Sequence, residues 1–190
     1  MTDLIGVVLR VVAALDSCRI SYTVGGSLAS SFSGEPRASI DADILVSMAE
    51  SQVPCLIHAL GDEFYAESHS LGRAVHDRTN ANVIHRPSST KVDLFIARTE
   101  LDAQQLARRR RVQVASEPDQ FIFMHSAEDI LLQKLHWFRL GGEVSERQWR
   151  DVVSIVRVQG ARLDRSYVWT MATGAGLTDL VERAYRGAGE

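Results

Sequence analysis

The sequence has few cysteines and no long apolar stretch. Its two cysteines, Cys18 and Cys55, are too few and too unpatterned for a disulfide framework or a zinc site. No apolar run reaches the length of a transmembrane helix. Residues 1–16 are largely apolar, but Asp3 and Arg10 interrupt them, and they have neither a basic leader nor a small-residue cleavage site. We therefore expect an amphipathic helix there, not a signal peptide, and a cytoplasmic protein without a membrane partner.

Lysine is scarce. Of the 21 basic residues, only Lys91 and Lys134 are lysines. Lysine at these two positions indicates sites that require a compact ammonium group instead of a planar guanidinium. The net charge of −3 argues against a chain coated with nucleic acid, and no DNA partner is expected. A compact basic block nevertheless occurs at Arg108, Arg109, Arg110 and Arg111. This block predicts contacts with an RNA backbone or, as an alternative, a charged strand edge that prevents aggregation.

The most informative stretch is YTVGGSLASSFSGEPRASIDADILV, residues 22–46. It predicts a strand, a tight turn at Gly25, Gly26 and Ser27, a short helix, and a second strand. The two glycines allow a sharp turn and a close approach to a ligand. Ser27 would cap the helix, whose free N–H groups suit a phosphate.

The second strand of this stretch carries two carboxylates, Asp41 and Asp43. Side chains alternate along a strand, so both project from one face. Carboxylate oxygens are suited to Mg²⁺ or Mn²⁺ carrying the phosphates of a nucleotide; the alternative is that they only face water. Arg37, in the loop before this strand, either reaches the triphosphate or is solvated. A phosphate-binding turn followed by two carboxylates predicts nucleotidyl transfer.

The pattern resembles the nucleotidyltransferase superfamily built around the DNA polymerase beta palm, whose signature is Gly-Gly-Ser followed by Asp-x-Asp. The resemblance implies a third carboxylate on a neighbouring strand, and Asp93 in KVDLFI, residues 91–96, matches it. Alternation places Lys91, Asp93 and Phe95 on one face. Asp93 would then help to bind a second metal ion and lower the pKa of the attacking hydroxyl; the alternative is a solvent-facing aspartate at a strand edge.

Apolar periodicity and turn residues divide the rest of the chain. Helices are predicted at residues 4–15 and 51–60, and residues 101–111 are predicted to be either a polar helix or a helix-to-strand junction. Strands are predicted at residues 73–78, 83–85 and 91–96, with edge strands at 112–115 and 121–125. From Ser126 onward only helices are predicted, with candidate N-caps at Ser126, Ser145, Asp164 and Thr178.

These elements predict an α+β fold. Residues 1–125 would form a polymerase beta palm-like mixed sheet flanked by helices. Residues 126–190 would form an antiparallel helical bundle that closes the active-site cleft.

Two polar residues lie on apolar sides of the bundle helices. Lys134 shares a helical stripe with Ile130 and Phe138, and Asp151 lies next to Val152. In such positions Lys134 would hold the triphosphate as a point charge, and the acceptor hydroxyl would lose its proton near Asp93 or Asp151. The alternatives are a lysine that extends to solvent and a surface aspartate.

The stretch SAEDILLQKLHWFRLGGEVSERQWRDVVSIVRVQG, residues 126–160, resembles the C-terminal signature of the AbiEii-type nucleotidyltransferases, toxins of bacterial toxin–antitoxin and abortive-infection systems. The resemblance implies that Lys134 and Asp151 complete the site. It implies Mg²⁺ and a nucleoside triphosphate as requirements, with a pyrimidine nucleotide from CTP or UTP transferred to the 3′ end of tRNA.

The same resemblance implies a cognate antitoxin as a partner, in some members a kinase that phosphorylates a serine in the glycine turn. Ser27 is the first candidate, and Ser39, two residues before Asp41, is the second. Two other functions stay open. One is transfer to a small hydroxyl compound or a protein, and the other is a non-catalytic nucleotide-binding module.

Overall fold

A computed structural model describes residues 4–189 of the chain. Asp3, part of the expected amphipathic start, lies outside these residues. The elements are α1 (Leu4–Ser17), β1 (Ser21–Val24), α2 (Gly26–Ser33), β2 (Asp41–Ser47), α3 (Val53–Leu60), β3 (Phe64–Tyr65), α4 (Ser68–Asp77), β4 (Asn80–His85), β5 (Thr90–Ile96), α5 (Glu100–Arg108), β6 (Arg110–Ser116), β7 (Asp119–Met124), α6 (Ala127–Leu140), α7 (Glu146–Gln159), α8 (Arg165–Ala175) and α9 (Thr178–Ala188). Single-turn 3₁₀ helices at Glu50–Gln52 and Gly160–Arg162 precede α3 and follow α7.

Contacts divide the chain into two units. The sheet unit comprises Met1–Ser27 and Ala38–Met124, and the helical unit comprises Leu28–Arg37 and His125–Glu190. The later boundary lies within one residue of the position expected from the sequence. The segment Leu28–Arg37, which the sequence places with the sheet, groups with the helical unit instead.

The sheet unit contains one seven-stranded mixed sheet with the order β3-β4-β5-β2-β1-β7-β6. The β2–β5 and β1–β7 pairs are parallel, and the other pairs are antiparallel. The predicted mixed sheet flanked by helices is confirmed. Strand β6 lies at an edge as predicted, but β7 lies between β1 and β6, so the prediction of an edge strand at residues 121–125 was wrong.

Helix α1 covers the sheet with one apolar side. Val8, Val11 and Leu15 are fully buried, which confirms the helix predicted from their spacing. Ile44 and Leu94, on the two central strands β2 and β5, are also fully buried. Burial of each such side chain contributes about 2 kcal/mol of stability, so the strands that carry the aspartates belong to the best-packed part of this unit.

Residues 73–78 do not form the predicted strand. They lie in and just after helix α4, whose buried residues Leu71, Ala74 and Val75 have helical spacing. The Glu67 carboxylate accepts hydrogen bonds from the backbone N–H groups of His69 and Ser70 and so caps the helix. The apolar residues of this segment fit the period of a strand as well as that of a helix. The cap at Glu67 favours the helix.

The two cysteines are bonded. Cys18, just after α1, forms a single disulfide with Cys55 in α3, a link that the sequence analysis did not predict. Both helices pack in the same unit, a contact that sequence spacing does not encode. A disulfide is more typical of oxidising compartments than of the cytoplasm, and the cytoplasmic location stays a prediction.

The helical unit is built as the cap residues predict. Ser126, Ser145 and Asp164 each accept a hydrogen bond from the backbone N–H group three residues later, at the starts of α6, α7 and α8. Thr178 was predicted to be a cap, and this was wrong, because α9 begins at Thr178 and the capping position is Leu177. Ile130, Leu135 and Ile155 are among the fully buried core residues.

No helix within residues 4–189 is both long enough and apolar enough to cross a lipid bilayer.

Candidate active site

The glycine turn lies directly against the Asp43 carboxylate. Gly25 donates a backbone hydrogen bond of 2.8 Å to the carbonyl oxygen of Asp43. Gly26 has φ +58°, and a Cβ atom on it would overlap with Oδ2 of Asp43. Helix α2 begins at Gly26, so Ser27 lies inside its first turn and does not precede the helix as predicted. The turn thus needs glycine both for its backbone angle and for the space that Asp43 occupies.

Strand β2 presents Asp41 and Asp43 on one side. Both are half-buried, whereas Ala42 and Ile44 between and after them are buried, as the alternation predicts. The hydroxyl of Ser39 donates to the backbone oxygen of Asp41 at 3.0 Å and to its Oδ1 at 3.2 Å. Ser39 therefore helps to hold the Asp41 carboxylate.

The parallel neighbour β5 brings Asp93 to the same cluster. Asp93 is the register partner of Asp43, and Lys91 is the register partner of Asp41. Asp93 is 8% exposed, so it is not the solvent-facing edge residue of the alternative interpretation. We call Asp41, Asp43 and Asp93 the acidic cluster.

Lys91 forms an ion pair inside this cluster. Its Nζ atom lies 2.7 Å from Oδ2 of Asp93. The hydrogen bond with Asp93 raises the pKa of the Lys91 ammonium group, against the lowering effect of burial, and the charges of Asp93, Asp41 and Asp43 raise this pKa further. The cluster therefore combines three carboxylates with one ammonium group.

The donor atoms of the acidic cluster suit a hard divalent cation such as Mg²⁺. Their present arrangement is incomplete in one respect: within residues 4–189, no three His, Cys, Asp or Glu side chains group in a way that could hold a metal ion. Lys91 already engages one oxygen of Asp93. Asp41 and Asp43 suit a metal site because both are carboxylates and both lie on the same side of β2. Metal binding by the three aspartates stays a prediction.

A second polar cluster lies within the helical unit. Asp151 of α7 accepts two hydrogen bonds of 2.9 Å from the Arg37 guanidinium, from Nε to Oδ1 and from Nη2 to Oδ2. Lys134 of α6 places Nζ 2.9 Å from Oδ2 of the same carboxylate. The Lys134 and Asp151 side chains are only 8% and 7% exposed. We call these three residues the two-cation cluster.

Charge in the two-cation cluster is unbalanced, because two cations face one carboxylate. Burial by itself would raise the pKa of the Asp151 carboxyl, but hydrogen bonds from Arg37 and Lys134, together with their charges, lower it. Asp151 is therefore ionised and fully engaged at neutral pH. The alternatives of a solvated Arg37, a surface Asp151 and a lysine extending to solvent are wrong.

The arginine block lies at the edge of the sheet. Arg108 ends α5, Arg109 follows it, and Arg110 and Arg111 begin the edge strand β6. The guanidinium carbon of Arg109 lies 4.6 Å from the ring centre of Phe123, and that of Arg111 lies 3.8 Å from the ring centre of Phe121. Arg110 and Arg111 are exposed, which suits an edge that repels other strands and equally a surface that binds phosphates.

Sequence reasoning missed two contacts of these clusters, the Lys91–Asp93 ion pair and the Arg37–Asp151 pair. The first had a signal, since residues two apart on a strand share a face and Lys91 is one of only two lysines. The second had none, because Arg37 and Asp151 are 114 residues apart.

Comparison of the sequence with protein-family models and with curated proteins gives no match. Comparison with solved structures does give matches. The solution structure of the antibiotic-resistance factor ANT(2″)-Ia is 15% identical, with a TM-score of 0.58, and the match covers 97% of this chain and 100% of that chain. A crystal structure of ANT(2″)-Ia with adenylyl-2″-tobramycin is 12% identical over 91% of this chain and 97% of that one, with a TM-score of 0.54.

A third match is an antigenic nucleotidyltransferase-like protein from Paracoccidioides brasiliensis. It is 17% identical, the match covers 98% of this chain and 94% of that chain, and the TM-score is 0.50. At these identities the matches show the fold. The chain therefore has a nucleotidyltransferase-like fold along nearly its whole length, as the sequence predicted.

Proposed function

We propose that this chain is an enzyme that transfers a nucleoside monophosphate from a nucleoside triphosphate to a hydroxyl group, with Mg²⁺ or Mn²⁺ as the cofactor. The observation that carries the proposal is the acidic cluster beside the glycine turn, with Asp43 against Gly26 and in register with Asp93. The similar solved structures support it, since they include ANT(2″)-Ia in complex with adenylyl-2″-tobramycin.

In this proposal Asp41 and Asp43 hold the metal ion. A divalent ion held there would supply neutralisation of the phosphate charge and Lewis acidity. The acceptor oxygen forms a bond to the α-phosphorus, the bond from that phosphorus to the bridging oxygen breaks, and pyrophosphate leaves. The hydroxyl proton passes to Asp93. Gly25, Gly26 and Ser27 bring backbone N–H groups at the start of α2 to the phosphates.

The two-cation cluster supplies positive charge for the triphosphate. Lys134 acts as a point charge and Arg37 as a planar donor. We assign Asp151 a positioning role instead of that of a general base, because its two oxygens already accept hydrogen bonds from both cations. This assignment narrows the catalytic role expected for Asp151 from the sequence.

RNA is the acceptor that the arginine block favours. Arg110 and Arg111 are exposed on the edge strand beside Phe121, and arginines next to an aromatic ring suit a phosphate backbone with an unstacked base. Combined with the AbiEii-like residues 126–160, this supports transfer of a pyrimidine nucleotide from CTP or UTP to the 3′ end of tRNA. The enzyme would then act as the toxin of a toxin–antitoxin pair.

A small hydroxylated compound is the second candidate acceptor. The observation that favours it is the similarity along the whole chain to ANT(2″)-Ia, which was solved with adenylyl-2″-tobramycin. The net charge of −3 also suits a cationic acceptor better than it suits RNA.

Control by an antitoxin kinase is part of the RNA proposal. Phosphate on Ser27 would occupy the N–H groups at the start of α2 and repel the triphosphate. Phosphate on Ser39 would replace its hydrogen bonds to Asp41. Coexpression with the neighbouring gene product, followed by phosphosite mapping and assay of Ser27→Asp, tests this. An active Ser27→Asp with neither serine phosphorylated contradicts it.

The decisive experiment is incubation with each α-labelled nucleoside triphosphate, Mg²⁺, and either total RNA or a panel of aminoglycosides. Label on tRNA supports the first acceptor, and label on an aminoglycoside supports the second. Asp41→Asn should abolish either reaction, while Asp62→Asn, an exposed aspartate of the same unit, should not. Absence of label on any acceptor, with intact folding, contradicts the proposed activity.

A further inference from the structure

The acidic cluster contains a cation of its own. The Lys91 ammonium group lies 2.7 Å from Oδ2 of Asp93, and strand register places Lys91 beside Asp41 as it places Asp93 beside Asp43. The register pairs Asp41–Lys91 and Asp43–Asp93 therefore place three carboxylates and one ammonium group side by side. Their net charge is −2.

The Lys91 ammonium group is bonded to the Asp93 carboxylate, the group that the resemblance assigns to a second metal ion. A strand pair carrying three carboxylates on one face is suited to two divalent ions, one of them bound by the third carboxylate. Here one oxygen of the third carboxylate is engaged by a side chain of the same strand.

The chemistry of the residue supports the same conclusion. The chain uses lysine only twice among 21 basic residues, and both lysines are paired with aspartates, Lys91 with Asp93 and Lys134 with Asp151. A lysine is a compact point charge, closer in shape to a metal ion than a guanidinium is.

We propose that Lys91 is a built-in counter-ion that takes the place of a second divalent metal ion beside Asp93, so that the site binds a single divalent ion through Asp41 and Asp43. This inference rests on the proposed function, because it concerns the same metal site. Lys91 acts as a positioning residue: it holds Asp93 and limits the number of metal ions that the acidic cluster accepts.

Metal stoichiometry tests the proposal without relying on turnover. Mn²⁺ binding is measured by electron paramagnetic resonance and by calorimetry on the full chain, with and without a non-hydrolysable triphosphate. The wild type should bind one Mn²⁺ ion at the aspartates. The Lys91→Met variant should bind two Mn²⁺ ions. It should bind the first of them about 10-fold more tightly than the wild type binds its single ion, because removal of a nearby positive charge strengthens cation binding.

Three variants make the result specific. Lys91→Arg keeps the charge and should keep one ion. Arg73→Met removes an exposed cation from α4 of the same unit and should leave stoichiometry and affinity unchanged. Lys91→Met combined with Asp93→Asn should return to one ion, since the extra ion needs the third carboxylate. Lys91 is 46% exposed, so its replacement should not prevent folding, and circular dichroism of each variant checks this.

The outcomes separate this inference from the proposed function. Two ions in the wild type, or one ion of equal affinity in both the wild type and Lys91→Met, overturn the role of Lys91 and leave the metal-dependent activity standing. No Mn²⁺ binding in any variant overturns both. No binding in the wild type with binding in Lys91→Met overturns the single-ion site of this inference and contradicts the metal requirement of the native chain.

Discussion

Gly26 lies so close to the Asp43 side chain that a Cβ atom on Gly26 would overlap with Oδ2 of Asp43 and lie 2.7 Å from its Cγ. The two residues are on different elements, at the start of α2 and in the middle of β2. Gly25 adds a backbone hydrogen bond to the carbonyl oxygen of Asp43. The glycine turn and the Asp-x-Asp strand are thus a single physical unit, in which the absence of one side chain makes room for another.

Replacement of this glycine should disable the acidic cluster. Gly26→Ala forces the Asp43 carboxylate to move and places alanine at φ +58°, a backbone cost of about 1–2 kcal/mol. We expect loss of metal binding and of nucleotidyl transfer, measured by calorimetry and by label transfer. Gly176→Ala is the matched control, since Gly176 has φ +66° and open space around it. If both variants lose stability alike and keep full activity, the contact has no functional role.

Asp41 should be essential for transfer but not for folding. Asp41→Asn keeps the shape of the side chain and removes its charge, so turnover should fall about 100-fold or more. The free energy of unfolding should change by less than about 1 kcal/mol, because Asp41 is only half-buried. Activity assays and urea unfolding measure the two effects, with Asp62→Asn as the control. Normal turnover in folded Asp41→Asn would remove Asp41 from the mechanism.

Lys134 and Asp151 should be energetically coupled. Lys134→Met leaves Asp151 with Arg37 alone, and Asp151→Asn leaves two cations together. Loss of either partner of a buried pair should cost about 3 kcal/mol, with a coupling energy of about 1–3 kcal/mol in the double-mutant cycle. Triphosphate binding should weaken in Lys134→Met, without full rescue by Lys134→Arg.

Arg186→Met, at an exposed position of the same unit, is the control for the loss of a positive charge. Additive effects of the Lys134 and Asp151 substitutions would contradict the coupling. Unchanged triphosphate binding in Lys134→Met would limit the pair to a structural role.

The stabilising effect of Asp151 should depend on pH in one direction. Its pKa is lowered from the ordinary value of 3.8, so the native state releases this proton more readily than the unfolded state does. The contribution of Asp151 is therefore complete above pH 3.8 and is lost as the pH falls below it, through the native pKa.

Urea unfolding of the wild type and of Asp151→Asn between pH 7 and pH 3 measures this effect. The difference between their free energies of unfolding should be constant near neutral pH and shrink in acid. Glu182→Gln, at an exposed position, should show a small difference throughout. A difference between the wild type and Asp151→Asn that grows in acid would mean that the sign of the pKa shift is wrong.

The arginine block should govern the salt dependence of RNA binding. Replacement of Arg110 and Arg111 by glutamine removes two exposed cations from β6. The slope of log affinity against log salt concentration should fall by about 2, because each arginine would neutralise one RNA phosphate. Arg73→Gln combined with Arg98→Gln removes the same charge elsewhere in the sheet unit. An equal slope in both double variants would return the block to the role of a charged edge.

The sequence alone determined the local features of this protein. The alternation that puts Asp41 and Asp43 on one face, the caps at Ser126, Ser145 and Asp164, and the need for glycine at Gly26 were all predicted. Each depends on residues within a few positions along the chain, where backbone geometry fixes which side chains meet. That local information predicted an α+β fold, and the resemblance of the Gly-Gly-Ser and Asp-x-Asp motifs to the nucleotidyltransferase superfamily implied a palm-like sheet; the similar solved structures confirm the fold.

Apart from Asp93, which the resemblance placed on a strand neighbouring the Asp-x-Asp pair, only the tertiary structure decided which distant residues meet. Register between the parallel strands β2 and β5 puts Asp93 beside Asp43 and Lys91 beside Asp41. Packing within the helical unit pairs Arg37 with Asp151, and packing of α1 on α3 brings Cys18 to Cys55. Spacing in the sequence carries no signal for such contacts, because they follow from how whole elements bury their apolar sides. Packing therefore decided which charged residues come together in the two clusters, and so the roles proposed for them.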